Sequence, residues 1–345
     1  MPNAAAGRIA RATVFTVTIG LAAWGVFHFA RQVGGAADGQ ASTTLVTDSR
    51  GADPAGPLRY ERLSGPDRTV VRTSSGAVLA TLTDGARTAA ITGPRRTLSE
   101  PKTTTASVVT STWVRLLPGE WRAGEEDAPW FGPWLAKARD DREPDLLAIA
   151  TQYLDGAPNE HDGNGVRFRG DAAFGPVAAS GVGRLERSDF VDYLGVTWTF
   201  PDGAKRKPDR TRHGAADCSG FVRLVFGYRG GYPLLGGNDP GPGLPRRAYA
   251  MAESGPGVVL VPNTHTTATD YARLQPGDLV FFESEDDDTQ VDHSGIYLGI
   301  DTYGHHRFVS SRERANGPTM GDLGGTSLLD DGGHYSRAWR TARRV

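Results

Sequence analysis

Apolar and polar positions divide the chain into stretches of different period. Residues 12–30 carry no charge and are rich in Val, Ile, Leu, Trp and Phe, with Arg8 and Arg11 before them and Arg31 after. A basic flank followed by an apolar run reads as an export signal. Its length of 19 residues also reaches what a membrane-spanning helix needs. Residues 1–31 are therefore expected to be a signal peptide or a signal-anchor helix, with Gly34, Gly35, Ala36 and Ala37 as a region for cleavage. In both cases the remaining chain lies outside the cytoplasm, because the basic flank stays inside. Residues 32–57 have no hydrophobic period, are rich in small and polar residues, and read as a linker.

Residues 58–121 predict a small β-rich region. The runs at 68–72 (RTVVR), 77–83 (AVLATLT) and 108–117 (VVTSTWVRLL) are β-formers, separated by the turn signals SSG, TDG and TGP. They predict either a separate module or a lead-in packed on the main domain. Residues 144–156 predict a helix, with Pro144 in its first turn, Leu146, Ile149 and Tyr153 at helical spacing, and Gly156 just past its end. The stretch 157–216 is polar and Gly-rich around an aromatic island at 190–200, and predicts no regular element.

Residues 217–229 (DCSGFVRLVFGYR) predict an amphipathic helix with Asp217 as N-cap and Cys218 in the first turn. Residues 275–283 and 291–300 predict two strands. Period-two alternation in the second puts His293, Gly295, Tyr297 and Gly299 on one face, and the more apolar set Ser294, Ile296, Leu298 and Ile300 on the other. The glycines beside His293 leave space for another element or a substrate. A further strand is expected over 305–312 (HHRFVSSR).

Composition changes this picture at two points. The net charge of −2 supplies no field that would favour nucleic acid or an anionic membrane surface. The chain also has a single cysteine, Cys218. Exported proteins normally pair their cysteines, so a lone thiol is either buried and inert or put to use. At a helix start a thiolate gains from the local dipole, and the free N–H groups there can hold an oxyanion.

DCSGFVR at 217–223, PGDLVFF at 276–282 and DHSGIYLG at 292–299, in that order and after the helix containing QYL at 152–154, resemble the NlpC/P60 family of cell-wall peptidases. The resemblance covers roughly residues 144–312, and residues 144–345 are taken as the catalytic domain. It implies an α+β, papain-like core in which a helix carrying the cysteine packs on an antiparallel sheet carrying the histidine. It implies Cys218 as nucleophile, His293 as general base, and the Cys218 N–H in the oxyanion hole. The implied substrates and partners are peptidoglycan stem peptides, with no cofactor. Relatives place a third polar residue on the next strand, often His, Asn or Gln, to orient the imidazole. Alignment puts Ser310 there, with His306, Arg312 and Asp301 as rivals. Tyr193 or Trp198 is expected to supply an aromatic contact near the nucleophile. The β-rich region could bind wall, and a catalytically inactive wall-binding or scaffold protein of the same fold is the alternative.

Other chemistry finds little support. His161, His213, His265 and His334 lack the paired spacing of metal sites, so no metal is expected. The acidic run Glu283–Asp288 lacks the alternation of a calcium loop and reads as a solvated hairpin tip. No phosphate-binding glycine motif and no basic-aromatic stripe for nucleic acid is present. Membrane contact is expected only through the N-terminal helix, if it is retained.

Overall fold

The computed structural model describes residues 42–45, 56–285 and 290–345, all within the compact unit Asp38–Val345. The expected export helix, most of the linker and the tip of the acidic hairpin lie outside the described residues. Among the described residues no helix is long and apolar enough to cross a membrane.

The β-rich region forms an antiparallel sheet from β2 (Arg59–Leu63), β3 (Arg68–Arg72), β4 (Val78–Thr83), β5 (Thr88–Ser99) and β6 (Ser107–Leu116), joined by β1 (Ser42–Leu45) from within the stretch expected as a linker. The strands run in the order β1-β5-β4-β3-β2, with β6 also on β5. The TGP segment, expected as a turn, lies inside β5, where the pairing with β6 shifts register between Thr92 and Arg96. A bulge absorbs the proline, which cannot donate to the ladder. Gly93 leaves room for Trp113, since a Cβ there would meet the indole at 2.5 Å. One face of this sheet makes its own core of Val71, Leu82, Ile91 and Trp113 with Trp121 and with Phe131 and Leu135 of α1 (Phe131–Asp140). Opposite lie Leu98, Val108 and Val114, which join the main core of the molecule.

The region thus packs on the main core through this face. Asp145 caps α2 (Leu146–Thr151) by accepting from Ala148 N–H at 3.0 Å. The same carboxylate accepts from both terminal nitrogens of Arg96 at 2.7 and 2.6 Å and from Val114 N–H at 2.6 Å. Arg96 and Asp145 are both fully buried. The helix is shorter than the expected 144–156, because its chain tightens at Gln152 N–H to Ile149 C=O (3.0 Å).

The main sheet is built from β7 (Val258–Val261), β8 (Leu279–Phe282), β9 (His293–Ile300), β10 (His306–Arg312), β11 (Gly317–Thr319) and β12 (Trp339–Arg344), antiparallel throughout. Its strand order is β7-β12-β8-β9-β10-β11. Both faces are covered. Phe281, Ile296, Leu298 and Val309 point into the main core with α3 (Phe190–Leu194) and α4 (Cys218–Val222), whose chain continues as π-helical turns over Arg223–Arg229. Val280, Phe282, Tyr297 and Phe308 form a second core with Trp339 and with Tyr335 of α6 (His334–Ala338). Helix α5 (Ala248–Ser254) sends Ala248, Met251 and Ala252 into the main core. The architecture is therefore the expected α+β arrangement of a cysteine-bearing helix on an antiparallel sheet.

Candidate active site

Cys218 is the first residue of α4, and its helix starts where the sequence places it. Asp217 is the N-cap, and its Oδ1 accepts from Gly220 N–H at 2.7 Å. Gly220 is required by packing, because a Cβ there would meet Ser188 C=O at 2.3 Å. The helix lies on the Ile296 face of the sheet, so the thiol comes to the beginning of β9 from that side. Its Sγ donates to Asp292 C=O at 3.7 Å, and Ser294 N–H points at the sulfur. The thiol thus sits against the main chain on both sides of His293.

The imidazole packs toward the second core, and no hydrogen bond joins it to the thiol among the described residues. Its ring lies 5.7 Å from that of Phe282 and 5.3 Å from that of Tyr335. The space beside it is taken by protein. A Cβ at Gly295 would meet Phe308 at 2.8 Å and Ser310 at 3.3 Å. Both side chains are nearly closed off, with Cys218 6% and His293 8% exposed.

This burial sets the charges. Desolvation first, then the Asp217 and Glu186 carboxylates, push the Cys218 thiol up to about 12. Burial, with Arg312 and His334 adding to it, pushes the His293 imidazole down to about 3. The resting pair is a neutral thiol and a neutral imidazole. The stabilised thiolate expected from a helix start is absent here, because loss of water and two nearby carboxylates outweigh the N–H dipoles.

Ser310 shares the His293 face of the sheet and is fully buried, but its hydroxyl serves another group. It accepts from Arg312 Nε at 3.0 Å. His293 Nε2 is buried and has no hydrogen-bond partner, and no hydrogen bond joins Ser310 to the imidazole among the described residues. Arg312, a rival for that place, is a cation and cannot accept from an imidazole. Its remaining donors go to Leu323 C=O, Gly325 C=O and Ser327 Oγ, and its guanidinium lies 4.3 Å from the Tyr335 ring centre. Continuing the β9–β10 register beyond Ile296↔Val309 brings Arg312 opposite His293. The other rivals stand at the far end of these strands. His306 pairs with Ile300 and shares a 2.7 Å hydrogen bond with Tyr297 OH. Asp301 accepts from Arg307 Nε at 2.8 Å.

The expected aromatic contacts also move. Tyr193 donates to Gly170 C=O at 2.8 Å, and the Trp198 ring packs on Phe190 and Tyr228. Tyr335, from α6, is the aromatic that faces the imidazole. No spacing in the sequence announced it, because its helix is only five residues long. Glu186 and Arg246 were likewise unmarked, and both enter through loops.

No curated protein matches the chain. The family comparison is specific where the geometry is: residues 202–321 match the NlpC/P60 family, and the chain carries an NlpC/P60 domain over that stretch, which contains Cys218, His293 and Ser310.

Proposed function

We propose that the protein is a cysteine peptidase that hydrolyses amide bonds in peptidoglycan stem peptides, and that it works outside the cytoplasm, secreted or anchored by its N-terminal segment. Members of the NlpC/P60 family are generally cysteine peptidases acting on peptidoglycan peptides. The observation that carries the reading here is the placement of the Cys218 thiol at a capped helix start, against the main chain on both sides of His293. Export is supported by the basic-apolar run at residues 8–31.

In the reaction, His293 takes the thiol proton as Sγ attacks the amide carbon. The N–H of Cys218, first in its helix and without an intrahelical acceptor, helps to hold the oxyanion. The imidazolium then gives its proton to the leaving amine, leaving a thioester. Water, deprotonated by His293, hydrolyses that thioester and returns the thiol. Because the resting pair is neutral, proton transfer accompanies attack instead of preceding it.

A second reading, a wall-binding or scaffold protein that keeps the fold, draws on one observation. His293 Nε2 has no acceptor, and a buried arginine stands on the hydroxyl nearest in role.

The test incubates the protein and Cys218→Ala with purified peptidoglycan fragments and reads products by mass spectrometry. Cleavage by the native protein alone supports the peptidase, and the mass change names the bond. Binding without cleavage by either protein would replace it with the scaffold reading.

A further inference from the structure

The carboxylate that caps the nucleophile's helix is gripped by a single buried cation. Asp217 Oδ1 accepts from Gly220 N–H (2.7 Å), Ser219 Oγ (3.2 Å) and Arg246 Nη1 (3.2 Å). Oδ2 accepts from Arg187 N–H (2.9 Å) and Arg246 Nη2 (2.7 Å). Arg246 Nη1 also donates to Ser219 Oγ at 2.7 Å, so it holds the residues on both sides of Cys218. Arg246 is 6% exposed, and Asp217 and Ser219 are 2% exposed.

Neighbouring charges do not share this task. Asp189, 3.5 Å from Arg246 Nε, already binds Arg223 Nε at 3.0 Å and has Arg206 at 3.5 Å. Among the described residues, Arg246 is the one cation paired with Asp217. It arrives by a long loop after the nucleophile helix, pinned by Arg246 N–H to Gly237 C=O at 2.9 Å.

We propose that Arg246 is the positioning residue for the nucleophile: its two-pronged grip on Asp217 and its bond to Ser219 fix the turn carrying Cys218 and offset the carboxylate beside the thiol. The proposal rests on Cys218 being the nucleophile. The groups that act on the thiol are the Asp217 and Glu186 carboxylates, the Ser294 N–H, the Asp292 carbonyl, the Tyr335 ring and Arg246. Asp217 and Glu186 oppose the thiolate, and Arg246 favours it. Removing it leaves Asp217 without the cation that pairs with it.

The test uses iodoacetamide alkylation of the native protein, read by intact mass across pH 7–10. Cys218 is the single cysteine, so the label reports it alone. Arg246→Met is expected to lower the alkylation rate at least tenfold at a given pH, and Arg246→Lys to recover part of that loss. On peptidoglycan fragments, kcat should fall with KM within about twofold. The double variant Asp217→Asn with Arg246→Met removes the charge together with its offset, and is expected to return alkylation to the native rate or above. Native alkylation in Arg246→Met would overturn the proposal. So would a double variant as slow as the single one, or faster labelling in Arg246→Met that the double variant shares, since each marks a packing role only. A native protein that cleaves nothing would count against the peptidase reading, while the alkylation series would still decide the role of Arg246.

Discussion

Arg312 donates from Nε to Ser310 Oγ at 3.0 Å, so the hydroxyl on the third strand of the site belongs to a buried cation and not to His293. Ser310→Ala should therefore lower hydrolysis of peptidoglycan fragments by less than about tenfold. His293→Ala should cost about 10²–10⁴-fold, the usual range for a general base. Equal losses in the two variants would return Ser310 to the catalytic set.

Tyr335 faces His293 and carries the Arg312 guanidinium over its ring. Tyr335→Ala should admit water to both reacting groups and lower the thiol pKa. Iodoacetamide labelling of Cys218 at pH 7 is then expected to rise about tenfold, because each unit of pKa is tenfold in thiolate. An unchanged rate would mean that other groups close the site.

His293 is neutral in the fold down to about 3, against 6.5 for a free imidazole. Below 6.5 the unfolded chain binds a proton that the folded protein refuses. This contribution to stability is complete above 6.5, and is lost as pH falls from there towards 3, by roughly 1.4 kcal/mol per pH unit. Urea denaturation at pH 7 and pH 4 should show a larger drop for the native protein than for His293→Gln. Parallel drops would place His293 in a solvated setting.

The pair Arg96–Asp145 joins the lead-in sheet to α2 with both side chains fully buried. Arg96→Met leaves a carboxylate without its counter-ion in the core and should cost about 3–5 kcal/mol. Arg96→Met with Asp145→Leu should recover part of it, although α2 then lacks its cap. A single variant within about 1 kcal/mol of native would show that the pair is compensated elsewhere.

What the sequence made legible was local. Asp217 as N-cap, the helix start at Cys218 and the strands carrying His293 and Ser310 follow from capping chemistry and short-range periodicity, and all are present. The alternation along β9 separated the two faces correctly for Ile296, Leu298 and Tyr297. It did not tell which elements would fill the space beside Gly295, since that depends on strand pairing. The conflicts arose where distant segments meet. Tyr335 and Arg246 reach the site from short or looping pieces with no period of their own. Arg312 sat inside a readable strand, but its grip on Ser310 and on the Leu323–Ser327 loop is a tertiary fact. The same holds for the TGP segment, a turn by composition, which long-range pairing draws into a strand.

The contacts that close the lead-in sheet on the main one also bear on the order of assembly. Arg344 Nη1 donates to Thr83 Oγ1 across 261 residues of chain, and Thr88 N–H donates to Val345 C=O. Strands made early in synthesis thus wait for residues made much later. These two closing bonds form only once residues 344 and 345 are in place, and contacts of such long range are of the kind that slows folding. A copy cut short before residue 344 would lose these two bonds, while the first sheet would keep its own core with Trp121, Phe131 and Leu135.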